Sequence, residues 1–108
     1  MGDFNEFLET LKSDLAELAG NSFKKYKHQL LHDGTEFAKK LETDLKNWSA
    51  EYSIFEISKE EFEELVKSKK DLLEMEALKH EGLARTELNK LRNAIVEIVT
   101  GTAVKVLL

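Results

Sequence analysis

Apolar positions recur along this chain at a spacing of eleven. One row runs Phe4, Leu15, Tyr26, Phe37, Trp48, and a second, four residues on, runs Leu8, Ala19, Leu30, Leu41, Tyr52. The second half repeats the scheme with Phe62, Leu73, Ala84, Ile95, Val106 beside Val66, Ala77, Leu88, Val99. Eleven residues in three turns is about 3.67 per turn, close to a straight α-helix and slightly on its right-handed side. The pattern predicts an all-α protein, a single helical domain over 1–108 with helices at about 3–52 and 59–108. Each would be roughly 75 Å long.

Between the halves lies "YSIFEISKEEF". Ser58 is a good N-cap and Glu61, three residues on, completes a capping box, with Ile57 placed to staple onto Phe62. A helix therefore starts at about 59. The β-branched and aromatic run Ser53–Ile57 predicts a short extended connector, about 53–58. Gly20, Gly34, Gly82 and Gly101 are each able to end a helix, and Asp33 could cap a new one with Glu36 as its box partner. The apolar rows nevertheless keep phase across Gly20, Gly34 and Gly82. That favours continuous helices in which each glycine costs about 1 kcal/mol. The alternative is a compact four-helix bundle with breaks near Gly20 and Gly82.

Charge gives the helices a partner. Residues 1–22 carry five acids and one base, 23–50 six bases and four acids, 51–81 ten acids and five bases, and 82–108 four bases and two acids. A short connector makes the helices antiparallel neighbours, pairing residues whose numbers sum to about 110. Acidic stretches then lie beside basic ones. The apolar stripe is wider than a two-helix seam needs, with Phe7, Leu11, Leu18, Phe23, Leu65, Leu72, Leu91 and Ile98 beside the main rows. More than about two apolar positions in seven implies a bundle. A homo-oligomer is expected, a dimer of hairpins forming a four-helix bundle of coiled-coil character.

The closing "IVEIVTGTAVKVLL" is too short for a span of about 20 residues and holds Glu97 and Lys105, so it reads as the end of a core helix. A strand from Thr102 onwards is the competing reading, because "TAVKVLL" is rich in β-formers. The chain has no cysteine and no proline, which excludes a disulfide framework and thiolate chemistry. The amino terminus lacks the basic-then-apolar order of a signal peptide, and Glu6 stands where a myristoylation motif has Ser or Thr. A cytoplasmic location is expected. A formal net charge of −5 argues against sequence-independent nucleic-acid binding.

Candidate chemistry is sparse. His28 and His32 stand at i,i+4 with Asp33 and Glu36 nearby, a spacing that can chelate a metal, but on the side opposite Tyr26, Leu30 and Phe37. They read as solvated. His80 falls in the apolar stripe opposite Leu30, which predicts a hydrogen-bonded core histidine. Glu76 and His80 form Glu-x-x-x-His, not the Glu-x-x-His of di-iron bundles. Phe23 and Tyr26 of "FKKYKH" belong to the core, so its lysines read as the partner of the acidic third quarter. No phosphate loop or nucleophile elbow is present. No catalytic residue, metal site or cofactor is expected.

The eleven-residue amphipathic repeat resembles those of apolipoproteins and other proteins that lie on lipid surfaces, by period alone. That resemblance implies a peripheral lipid-surface binder as the alternative function. The favoured expectation is a non-catalytic structural or adaptor module, acting through self-association and protein–protein contacts.

Overall fold

The structure, a computed structural model, describes residues 2–108. It contains six α-helices, α1 (Phe4–Ser22), α2 (Lys27–Lys40), α3 (Glu42–Ser53), α4 (Lys59–Ser68), α5 (Glu76–Lys79) and α6 (Arg85–Leu107). Short 3₁₀ turns lie at Lys24–Tyr26 and Lys70–Leu72, and no strand occurs among the described residues. The all-α class expected from the periodicity is therefore correct.

The two uninterrupted helices are not found. The molecule measures 44 × 23 × 20 Å, too short for any helix of 50 residues. The first breaks after Ser22, where three poor helix formers stand in a row (Gly20, Asn21 and Ser22). The chain turns at Phe23, whose N–H still reaches the Ala19 carbonyl. A kink follows at Leu41, which bonds back to Ala38 rather than Phe37. The second half breaks more widely, from Lys69 to Ala84. That stretch includes an extended Leu73, a left-handed Met75 with φ 59° and Gly82 with φ 70°. The competing positions Gly20 and Gly82 thus lie beside the real breaks, whereas Gly34 and Gly101 sit inside helices.

Over the middle of the chain, antiparallel pairs follow a regular spacing. The rings of Trp48 and Phe62 meet edge to face, Lys69 faces Asp44, and Lys40 faces Glu74. Asp33 meets Ala77 and Leu78, and Gln29 meets Glu81. Helix α1 folds back on this layer, with Lys46 over the Phe4 ring and Leu15 against Gly34. Helix α6 packs on α1, α2 and α4. Its end lies along the start of α1, where the Gly2 N–H donates to the Val106 carbonyl at 2.6 Å.

Part of the wide apolar stripe is covered within one chain, while Leu18, Phe23, Leu65 and Ile98 are half-buried and Leu72 is exposed. Phe7, Leu11 and Leu91 are fully buried, because α1 and α6 close over the faces that a lone hairpin would have left to a second copy. Not every row member follows its row: Ala84 is exposed, at the entry to α6. Residues 102–107 are helix rather than strand. Thr100 donates to the Val96 carbonyl at 2.7 Å and Thr102 to Asp14 at 2.6 Å. Lys105 also donates to Asp14, at 3.0 Å. These bonds occupy the threonine hydroxyls, and packing on α1 outweighs β-propensity.

The glycines separate by conformation. A Cβ on Gly20 meets nothing within 4 Å, and Gly82 has as much room but lies at φ +70°. Gly20→Ala is expected to raise stability by up to about 1 kcal/mol through helix propensity. Gly82→Ala is expected to lower it by about 1–2 kcal/mol through the left-handed backbone. Urea melts of the two variants check both signs.

Candidate functional site

Two concave regions stand out. The first, about 490 Å³, runs between α2 and the chain from Leu72 to Glu76, with His32, Asp33, Glu36, Lys40 and Glu74 on its walls. Its polar groups are largely engaged by the fold itself. Asp33 is only 4% exposed and lies inside α2, so it does not cap a helix of its own. Its carboxylate oxygens accept from the backbone N–H of Ala77 at 3.0 Å and of Leu78 at 2.9 Å. These are the second and third residues of α5, the amides that a capping side chain normally satisfies. Met75, in the cap position, has no group for the task, and α2 supplies one from across the molecule.

Lys40 donates to the Leu72 carbonyl at 3.2 Å and to Glu74 at 2.7 Å. That hydrogen bond, with the lysine's positive charge, holds the Glu74 carboxyl below its ordinary range. The pair is exposed to solvent and adds little stability. Its share, present at neutral pH, is lost as acid protonates Glu74.

The sequence-derived candidates fare unevenly. His28 and His32 are exposed, on the solvent side as expected. His80 is not a core histidine: it is exposed in the turn that ends α5, because the break at 80–84 carries it off the stripe. Among the described residues, no group of three or more His, Cys, Asp or Glu is arranged to hold a metal ion. No helix among them is long and apolar enough to cross a membrane.

The second region, about 580 Å³, surrounds the turn between α3 and α4. Here the Phe55 N–H bonds to the Tyr52 carbonyl at 3.1 Å, and the Glu56 N–H to Glu51 at 2.9 Å. Those two bonds define a Schellman motif, whose left-handed residue is normally glycine. Phenylalanine occupies it, at φ 63°. The expected extended connector is thus a tight left-handed turn. On the far side, Ser58 accepts from the Glu61 N–H at 3.1 Å, while Glu61 accepts from the Ser58 N–H at 2.9 Å. This is the capping box read from the sequence, and Ile57 packs onto the core beside it.

A helix end and a capped helix start therefore clamp a short tip from both sides. At that tip Phe55 is 94% exposed and Ile54 63% exposed. Glu51 and Glu56 flank them, and Glu60, Glu61, Glu63 and Glu64 follow. Leu72, at 41%, is the other large apolar side chain exposed among the described residues, and it lies elsewhere.

Sequence reasoning passed over this tip. The available signal was that Ile54 and Phe55 belong to neither eleven-residue row, so they are apolar residues without a place in the stripe. Comparison with known proteins finds no family model, no curated protein and no solved structure that matches this chain.

Proposed function

We propose that this protein is a non-catalytic helical module that works by protein–protein contact, with the α3–α4 tip as its contact surface. One observation carries the reading. A fully exposed phenylalanine is held in a left-handed turn where glycine would fit without strain. The backbone conformation costs about 1–2 kcal/mol for an L-residue, and the ring gains no burial in return. A side chain that is both strained and solvent-exposed is best accounted for by contact with something else. Large aromatic side chains are the usual anchors of protein interfaces.

The lipid-surface alternative draws less support. Phe4, Leu15, Phe37, Phe62 and Leu73 of the repeating rows are buried against one another, so a bilayer would offer them no new burial. The acidic residues around Phe55 disfavour an anionic membrane, whose own charge attracts basic segments.

Phe55→Gly is expected to raise unfolding free energy by about 1 kcal/mol while abolishing binding. A photo-crosslinking side chain at position 55, used in cells that make the protein, should give a discrete protein adduct. Loss of stability in Phe55→Gly, or adducts only with lipid, would count against the reading.

A further inference from the structure

The two ends of the molecule carry opposite charge. Around the tip, residues 51–64 hold six acids and one lysine. The antiparallel spacing that joins Trp48 to Phe62 and Gln29 to Glu81 sets two other corners at the opposite end. These are residues 23–28, with Lys24, Lys25 and Lys27, and residues 79–85, with Lys79, Arg85 and Glu81. The four lysines and Arg85 are exposed.

Among those cations lie apolar side chains that the core only half covers. Phe23, Tyr26 and Leu83 are partly buried and packed on its edge. The Lys25 ammonium stands 5.9 Å from the centroid of the Tyr26 ring. One end therefore presents an exposed phenylalanine and isoleucine within an acidic collar. The other presents two corners on which half-covered apolar side chains, Phe23, Tyr26 and Leu83, stand beside Lys24, Lys25, Lys27, Lys79 and Arg85.

We propose that the occupant of the Phe55 tip is a second copy of this chain, bound head to tail. Phe55 and Ile54 of one copy rest on Phe23, Tyr26 and Leu83 of the next, and Glu51 and Glu56 face the lysine corner. This rests on the reading of the tip as a protein-contact surface and names its partner. Both halves of the charge complementarity lie within one sequence, at opposite ends of the antiparallel layer that Trp48–Phe62 and Gln29–Glu81 mark.

Such a contact is heterologous: it leaves a free head and a free tail, so copies add in open chains rather than closing as a symmetric dimer. The surface at each end is small, which makes the contact weak and dependent on charge.

Sedimentation velocity tests it with the whole chain. At about 20 mM salt, where screening is slight, the wild-type mass should climb with concentration without settling at two chains. Association should weaken roughly tenfold or more at about 500 mM salt. Phe55→Asn, which suits the left-handed turn, removes the head. Lys25→Glu with Lys27→Glu removes the tail. Each variant alone should stay monomeric, and circular dichroism should show both folded.

Mixed in equal amounts, the two variants should form a one-to-one dimer and nothing larger, since together they hold one intact head and one intact tail. A monomeric wild type, a mixture that does not associate, or a fixed symmetric dimer unaffected by either variant overturns the head-to-tail contact. Adducts from position 55 that contain only a different protein would also overturn it, while leaving the contact reading of the tip intact. Adducts to the Phe23–Lys27 corner of a second copy support both.

Discussion

Phe62→Ala is expected to lower the unfolding free energy by about 3–5 kcal/mol, the usual cost of removing a buried ring. Phe62 stands in the first turn of α4 with no exposed surface. Its ring meets that of Trp48 edge on, with centroids 6.5 Å apart and planes at 86°. The edge-on pair accounts for about 0.5–1.5 kcal/mol of the total. Phe62→Leu, which keeps much of the volume and loses the pair, should therefore cost less than half as much. Domains of this size are stable by about 5–15 kcal/mol, so the alanine variant should fold but melt early. Urea denaturation of the three proteins measures the series. A loss below about 1 kcal/mol for Phe62→Ala would mean that α3 and α4 are not packed as described.

Asp33→Ala is expected to cost about 2–4 kcal/mol. It removes two charge-assisted hydrogen bonds from one buried carboxylate and leaves the Ala77 and Leu78 amides without their acceptor. Water can reach part of the broken stretch once it loosens, which limits the loss. Asp33→Asn keeps one acceptor and should cost about half as much.

The location of the damage is the sharper readout. Hydrogen exchange at Ala77 and Leu78 should accelerate in Asp33→Ala, while exchange in α1 and α6 changes only with global stability. Uniform acceleration with no local excess would show that Asp33 does not hold α5.

Local devices were readable because they depend on neighbours in the chain. The capping box of Ser58 and Glu61 has its chemistry within four residues, and it appears where the sequence places it. The Asp33 cap was not readable, because its donors lie 44 and 45 residues away at a helix with no capping residue of its own. From sequence, a carboxylate on the inner face of a helix looks like a metal ligand or a local cap. Only the path of the second half shows which amides it meets. The Phe55 turn hid for another reason. A left-handed C′ position is inferred from glycine or asparagine, and neither stands there.

The amino-acid pattern alone established that the chain is helical, where α4 begins and, outside residues 69–84, which faces turn inward. Apolar spacing sets the period, and side-chain capping acts over one turn. It did not determine whether the helices run on or fold back. Unbroken phase across Gly20 and Gly82 suggested long rods. Yet apolar spacing shows only that each segment has an inward face. A spacing that stays in step across a glycine does not require helical backbone there, as the exposed Ala84 and His80 of the broken stretch show. Tertiary packing made the choice: α1 and α6 cover Phe7, Leu11 and Leu91 within a single chain. The first break falls at Gly20, Asn21 and Ser22, poor helix formers where interrupting a helix costs least, whereas the left-handed Met75 in the second carries a backbone cost of its own. The same folding leaves Phe55 outside the core, because the turn that returns the chain at α3–α4 points its one left-handed side chain into solvent.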